Sequence, residues 1–436
     1  MRAFKFLMTL AVMAMVSASS ASASTPSSPQ EVYRTWYTLV LELVRHTATY
    51  TPPVASRAFA YISIAAFEAT ASGSTGLHSL QGQLQNMPQI PVRQSGKRYD
   101  ESIVMNAALE TAVENLFSNT GPTGHHALAA FEKKMAGEIS LSVPSDIAVR
   151  SKAYGQAVAK VILNWAKEDG GAVIQTMGFS ADYVLTKGPA HWAPTNTVAL
   201  QQTPLLPNWG KNRSFAMPSG AACALPAPPA YSEDKTSEFY KQALEVAEIK
   251  KTLSPEQKAI AKFWSDDAML TVTPPGHWVS IALKILEKEN ADADKTADVL
   301  ARLSIAEADA FIGCWYAKFQ YDVVRPITYI RRVMDPKWEP LLNTPPFPEY
   351  PSGHSTQSAA AADVLTQIYG ENFSFTDETG AKDGLKPRDF ASFKAAAAEA
   401  GISRLYGGIH YRSAVENGLE QGRCIAAYVN ALKTRK

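Results

Sequence analysis

The sequence predicts an all-α protein made of two helical bundles joined by a long proline-rich segment. Apolar residues recur at helical spacing through most of the chain, and alternating strand patterns are sparse. With 436 residues, 46% of them hydrophobic, the chain can bury a large core and is long enough for two halves of ordinary domain size. We expect an N-terminal bundle over 25–200, a connection over 201–253 and a C-terminal bundle over 254–436.

The N-terminus has the pattern of an export signal. Arg2 and Lys5 supply positive charge, an apolar run follows over 6–16, and small residues around position 24 suit cleavage. The apolar run is too short to span a bilayer, and no later run approaches about 18 residues. The sequence therefore predicts a signal peptide over 1–24, a mature protein without a membrane span, and a periplasmic or secreted location.

Four helices are predicted in the N-terminal half, over 31–50, 52–71, 98–117 and 145–169, the last with Ser145 as its N-cap. The region 176–234 differs, because it is rich in proline and tryptophan and lacks periodicity. Its aromatic side chains need a place to be buried, so we expect an ordered connection. A connection of this length in a compact protein is often functional.

Helical patterns resume in the C-terminal half. Ser254, Pro255 and Gln257 fit the N-cap, the first helical position and the third position of a capping box. We expect that helix to continue through 254–270. The stretch 291–324 is predicted to form one long helix or two.

Charge and cysteine content narrow the class of protein. Lys and Arg total 42 against 41 Asp and Glu, so neither nucleic-acid binding nor a polybasic membrane contact is indicated. The three cysteines, Cys223, Cys314 and Cys424, lack metal-ligand spacing and allow at most one disulfide. Because Cys314 and Cys424 lie in apolar helical patterns, we expect both to be buried free thiols.

Unusual residues concentrate in three C-terminal segments. In the first, Lys318 and Arg325 are seven positions apart, which would place both on one helix face roughly 10 Å apart. Pro326 would end the element at Arg325. Trp315 lies one turn before Lys318, on the same side.

The second segment contains a helix start and the third contains a turn. Ser352 is a natural N-cap, and Gly353 and His354 would occupy the first turn, where free N–H groups attract an anion. Arg404 and His410 flank a Gly-Gly turn that leads into an apolar helix. Together the three segments offer cationic forks, backbone N–H groups and two imidazoles, a set that suits a tetrahedral oxyanion.

The order of these motifs resembles the superfamily of vanadium-dependent haloperoxidases and type 2 phosphatidic-acid phosphatases. Its signature, K-x6-RP then PSGH then SR-x5-H, is complete at 318–326, 351–354 and 403–410. Two further stretches, 51–69 and 263–278, resemble exported bacterial haloperoxidases, including iodoperoxidases.

The resemblance implies a cofactor and a role for each motif residue. Vanadate would be bound by Lys318, Arg325, Ser352, Gly353, Arg404 and His410. Three of the residues would be catalytic: His410 would bond the metal, His354 would move protons and Lys318 would polarise bound peroxide. Trp315 and Phe347 would form the wall of the halide pocket, although ordinary core packing explains them equally well. The partners would be hydrogen peroxide and a halide, bromide or iodide before chloride, and a homo-oligomer is compatible with this interpretation.

Two alternatives stay open at this point. An acid phosphatase would use the same residues, with a phospho-His410 intermediate, and an oxyanion-binding protein would use them without turnover. One departure from the family pattern bears on the choice. Both branches often carry Asp four residues after the last histidine, and this chain has Ala414 there. The acceptor that orients His410 must come from elsewhere, with Glu416 and Asp266 as candidates, although Asp266 could instead pair with Arg404.

Overall fold

The computed structural model describes residues 28–139, 143–195 and 202–436. Over these ranges the chain is predominantly helical, which confirms the predicted fold class. None of the helices in this part of the chain is long and apolar enough to cross a membrane. The expected signal peptide, 1–24, lies outside the described residues.

The N-terminal half contributes six helices to the described structure. They are α1 (Pro29–His46), α2 (Pro52–Ala71), α3 (Glu101–Leu116), α4 (Pro122–Ile139), α5 (Ser145–Ala166) and the short α6 (Gly171–Ile174). The four predicted helices are thus present, and α4 and α6 were not predicted. The expected N-cap of α5 was wrong by one residue, because Ser145 is itself the first helical residue and Pro144 precedes it.

The C-terminal half contains the remaining helices and a small hairpin. They are α7 (Glu238–Thr252), α8 (Pro255–Phe263), α9 (Thr273–Lys288), α10 (Ala293–Tyr321), α11 (Pro326–Val333), α12 (Gly353–Tyr369), β1 (Phe375–Asp377), β2 (Arg388–Phe390), α13 (Phe393–Tyr406) and α14 (Arg412–Asn430). The stretch predicted as one helix or two is the single helix α10. The two strands pair antiparallel, with Phe375 opposite Phe390.

Local sequence signals explain where several helices begin. The capping box of α8 is present, since the Ser254 N–H donates to Gln257 Oε1 at 2.9 Å and the Gln257 N–H donates to Ser254 Oγ at 3.2 Å. The helix ends at Phe263 rather than continuing to residue 270. Beyond it Asp266 has a positive φ of 49°, a conformation that a helix cannot include.

Helix α10 is the central element of the molecule. It packs against α2 from the N-terminal half and against α12 and α14 from the C-terminal half, so that one hydrophobic core draws residues from both halves. Helices α12 and α14 approach especially closely at Gly422, where a Cβ atom would overlap the carbonyl oxygen of Thr356. A second, smaller core lies among α7, α11 and the segments around Trp338 and Tyr350.

The proline-rich connection is ordered where the structure describes it. Trp192 and Trp209 are buried, as expected for a segment that packs on the bundles. Asp309 of α10 anchors the connection, because its carboxylate accepts the N–H groups of residues 215–217 at 2.7–2.9 Å. The connection is therefore held on the same helix that carries Lys318 nine residues later.

The expectation for the cysteines was partly wrong. Cys223, at the end of the connection, forms a disulfide with Cys424 of α14, with a Cα–Cα distance of 5.9 Å. Cys424 is exposed rather than buried, because it lies on the outer side of an amphipathic helix. Cys314 is a buried free thiol, as expected.

Candidate oxyanion site

The three signature segments meet where several helices begin or end. Lys318 is in the last turn of α10, Arg325 is the N-cap of α11, Ser352 is the N-cap of α12, Arg404 is in the last turn of α13 and His410 lies between α13 and α14. All five side chains are at most 3% exposed. Helix termini leave backbone groups free, so this convergence collects polar groups in a buried place.

Lys318 and Arg325 do not share a helix face, contrary to the spacing argument. Helix α10 ends at Tyr321, and Asp322 turns the chain with a left-handed φ of 48°. The two cations nevertheless converge, because Lys318 Nζ and Arg325 Cζ each lie 5.0 Å from the centre of the Phe347 ring. Pro326 begins the next helix rather than ending the first.

The Arg325 guanidinium is fixed on one side and free on the other. Nε donates to the carbonyl of Phe347 at 2.8 Å, and Nη1 donates to the carbonyl of Ile409 at 2.9 Å and to His410 Nε2 at 3.1 Å. Nη2 is buried and has no hydrogen-bond partner among the described residues. Burial lowers the pKa of Arg325 to about 10, with Glu349 opposing the change, so the group is charged at neutral pH.

Arg404 has a similar arrangement. Its Nη1 donates to the carbonyl of Trp264 at 2.7 Å, whereas its buried Nε has no partner in the described part of the chain. Burial lowers its pKa to about 10, opposed by the charges of Asp267 and Asp266. Leaving a buried charged donor unpaired is costly, so these two arginines are arranged to receive an anion.

The start of α12 adds backbone donors. The Ser352 hydroxyl accepts the N–H of Ser355 at 3.3 Å, and the Ser352 N–H donates to the carbonyl of Ala414 at 3.0 Å. Within the described ranges, the N–H groups of Gly353 and His354 have no such partner. They form the positive end of a 17-residue helix, which favours an anion.

Glu349 orients His410, although no sequence motif indicates this contact. His410 Nδ1 lies 2.8 Å from Glu349 Oε1, and the Tyr411 N–H donates to the same oxygen at 2.8 Å. The two candidates suggested from the sequence were wrong, since Glu416 faces Arg412 and Asp266 bonds His277. The only signal was an acidic residue two positions before PSGH, and 61 positions separate it from His410.

The hydrogen bonds of His410 define its tautomer. Nε2 receives a hydrogen bond from Arg325 and must carry the lone pair, so the proton is on Nδ1 and is donated to Glu349. Burial and the nearby cations lower the pKa of His410 well below its usual value. A neutral imidazole with its Nε2 lone pair inside the cationic cluster can bond a metal centre.

His354 is the second neutral imidazole. Its pKa is held well below the usual value by burial and by the charges of Arg404 and His277, while the nearby backbone of Trp264 and Ser265 opposes the change. Its Nε2 is buried and has no hydrogen-bond partner among the described residues. This nitrogen is therefore free to take part in proton transfer.

The ammonium group of Lys318 is fully hydrogen-bonded in this structure. Its ammonium donates to the carbonyls of Pro348, Glu349 and Pro351 at 2.8, 3.1 and 2.5 Å, which uses all three N–H groups. Burial lowers its pKa to about 7. The lysine fixes the segment before α12, and contact with a bound oxyanion would replace one of these bonds.

Trp315 and Phe347 form a wall beside the cations. Their ring centres are 4.8 Å apart at 52°, and Trp315 Nε1 donates to the carbonyl of Leu205 at 3.2 Å. Trp315 is buried, whereas Phe347 is partly exposed and lies between Lys318 and Arg325. Both residues thus lie beside Lys318 and Arg325, and their role in a halide pocket stays a prediction.

Comparison with known proteins supports this description. The model of the second helical-bundle domain of vanadium chloroperoxidases, VCPO, matches residues 298–435. The vanadium chloroperoxidase of Curvularia inaequalis is 31% identical over 141 residues, an alignment that spans 27% of this chain and 23% of the fungal enzyme. This alignment covers less than a third of either chain.

Solved structures extend the similarity to nearly the whole chain. A bacterial vanadium-dependent iodoperoxidase is 36% identical, with a TM-score of 0.84, over 93% of this chain and 97% of that one. A bacterial vanadium-dependent chloroperoxidase in its holo form shares the fold at 16% identity, with a TM-score of 0.66, over 94% and 93% of the two chains. The chain belongs to the vanadium-dependent haloperoxidases, a family of enzymes.

Proposed function

We propose that this chain is a vanadium-dependent haloperoxidase that oxidises iodide or bromide with hydrogen peroxide and yields hypohalite. The observation that carries the proposal is the pair of buried donors without partners, Arg325 Nη2 and Arg404 Nε, beside the Nε2 lone pair of His410. The similarity to a bacterial iodoperoxidase over nearly the full length of both chains supports it. The comparisons give no support to the phosphatase alternative.

The residues present fit vanadate. Arg325 Nη2, Arg404 Nε and the N–H of Gly353 can hold its oxygens, with the hydroxyl of Ser352 beside them, and His410 Nε2 can bond the metal. This bond requires Arg325 Nη1 to give up its hydrogen bond to that nitrogen, while its bond to Ile409 can stay. When bound, vanadate supplies a Lewis acid that activates hydrogen peroxide for attack by halide.

Each imidazole then has a separate task. Glu349 keeps the His410 proton on Nδ1, so that Nε2 always faces the cations. His354 Nε2 accepts a proton as hydrogen peroxide enters, and its neutral form is the one that burial favours. Fixed cations stabilise negative charge at the reacting oxygens without reorganising during the reaction.

The wall of the pocket provides the place for halide. Phe347 is partly exposed and its ring centre lies 5.0 Å from both Lys318 Nζ and Arg325 Cζ, which suits a large, weakly hydrated anion. Lys318 contributes positive charge from a fixed position. Trp315 supports the Phe347 ring from behind.

We propose further that the protein is exported, to the periplasm or beyond. The signal-like pattern at 1–24 motivates this proposal, and the disulfide between Cys223 and Cys424 supports it, because disulfides persist in oxidising compartments. A signal-peptide cleavage test, by N-terminal sequencing of the protein recovered after export, checks it. Recovery of the intact N-terminus from the cytoplasm alone would refute it.

A halide series tests the activity. The purified chain is loaded with vanadate, and oxidation of iodide, bromide and chloride by hydrogen peroxide is followed, with His410→Ala and with Glu416→Gln as a matched surface control. We expect turnover of iodide or bromide that His410→Ala abolishes and Glu416→Gln leaves unchanged. Vanadate binding without oxidation of any halide would instead indicate an oxyanion-binding protein.

A further inference from the structure

A buried charged cluster lies next to the oxyanion site and is not part of it. His277, near the start of α9, is 1% exposed. Its Nδ1 is 2.9 and 3.0 Å from the two carboxylate oxygens of Asp266, and its Nε2 is 2.8 Å from Asp377 Oδ2. Asp266 follows α8 and Asp377 ends β1, so the histidine joins three separate parts of the fold.

The geometry requires a protonated histidine. Both ring nitrogens face carboxylate oxygens, and a carboxylate accepts hydrogen bonds, so both nitrogens must carry protons. Burial alone would lower the pKa of His277, but the charges of Asp266 and Asp377 raise it to about 10. The cluster therefore holds one cation between two anions.

The cluster reaches the oxyanion site through Trp264 and Ser265. The Trp264 indole stacks on the His277 ring, with centres 4.5 Å apart and an angle of 17°. The carbonyl of Trp264 accepts the Arg404 Nη1 hydrogen bond at 2.7 Å. A cation of the oxyanion site is thus aimed by this short stretch of main chain.

That stretch is held by α8 at one end, since the N–H groups of Trp264 and Ser265 donate to the carbonyls of Ile260 and Lys262 at 3.2 Å, and by the cluster at the other end. It lies between the end of α8 and the start of α9, and Asp266 adopts a left-handed φ of 49°, which is unfavourable for a side chain other than glycine. The Asp266 carboxylate makes both its hydrogen bonds to His277. These hydrogen bonds fix the end of the stretch that lies beyond the α8 cap.

We propose that Asp266, His277 and Asp377 form a positioning cluster that fixes the Trp264–Ser265 main chain and through it the aim of Arg404. The inference rests on the proposed function of the oxyanion site. Loss of a residue that orients a ligand-binding group typically reduces affinity 10–100-fold. We expect His277→Gln to weaken vanadate binding by a factor in that range.

The experiment measures inorganic vanadate binding by the metal-free full chain, using equilibrium dialysis, together with urea unfolding of each variant. Asp169→Asn is the matched control, because Asp169 forms a buried ion pair with Arg57 at 2.6 Å in the N-terminal half. Both substitutions are expected to lower stability. Only His277→Gln should lower the affinity for vanadate, which separates positioning from a general structural effect.

Each outcome of the binding experiment supports or overturns a stated role. The positioning role is overturned if His277→Gln binds vanadate within twofold of the unaltered chain. It is also overturned if Asp169→Asn loses as much vanadate affinity as His277→Gln does. If His277→Gln does not fold, Asp377→Asn replaces it, since it removes one of the two carboxylates and is held to the same criterion. Failure of the unaltered chain to bind vanadate would instead refute the proposed function.

Discussion

Replacing Glu349 with alanine would test how His410 is oriented. One carboxylate oxygen, Oε1, accepts from His410 Nδ1 and from the Tyr411 N–H, both at 2.8 Å. The glutamate is 1% exposed, so water does not readily take its place. In Glu349→Ala the imidazole loses the acceptor that sets both its tautomer and its rotation.

The expected loss follows from the role of that hydrogen bond. Removal of the acceptor behind a metal-bonding histidine typically reduces metal affinity 10–100-fold, which corresponds to about 1.4–2.8 kcal/mol. Glu349→Gln keeps an oxygen in the same position and can accept both hydrogen bonds, although without the charge. We therefore expect Glu349→Gln to retain more affinity than Glu349→Ala, with both below the unaltered chain.

Equilibrium dialysis of the metal-free variants against vanadate measures these affinities directly. Urea unfolding of the same samples shows whether each variant is folded under the conditions used. Glu416→Gln serves as the control, since Glu416 lies on the exposed side of α14 and contacts Arg412. Equal vanadate affinity in Glu349→Ala and the unaltered chain would refute the reasoning.

Three further predictions concern stability. The pKa of His277 is raised from 6.5 to about 10, so the stability that its charge contributes is complete below pH 6.5 and is lost as the pH rises to 10. The urea midpoint of the unaltered chain should therefore fall over this pH range, and that of His277→Gln should fall less steeply. Cys424→Ser removes the disulfide to Cys223, which closes a loop of 201 residues, and should lower the free energy of unfolding by about 2–5 kcal/mol. Reduction of this disulfide in the unaltered chain should have the same effect. Gly422→Ala would push α12 and α14 apart and should cost about 1–3 kcal/mol in urea unfolding, whereas Gly137→Ala, which meets no atom within 4 Å, should not destabilise.

Helix caps and helix positions, which depend on neighbouring residues, could be predicted from local sequence patterns. The capping box at Ser254 and the N-cap at Ser352 were confirmed, because each is decided within four residues. The helical patterns located α2, α3 and α10 for the same reason. The candidate site was predicted through three motifs whose order is specific to a family, not through any calculation of how they meet.

Relations between distant residues could not be predicted. Glu349 and His410 are 61 positions apart, and His277 and Asp377 are 100 apart, so no spacing rule connects them. The disulfide was missed because the pattern around Cys424 indicates a helix but not which side of it faces the core. The shared helix face of Lys318 and Arg325 was wrong because a single left-handed residue, Asp322, ended the helix early.

The eight residues from Phe347 to His354 have a consequence for engineering. This short stretch carries the ring beside the cations, the acceptor behind His410, the three carbonyls held by Lys318 and the first turn of α12. Insertion or deletion of one residue would displace all of these at once. An exchange between relatives should therefore keep the site intact only when the stretch is exchanged as a whole, at constant length.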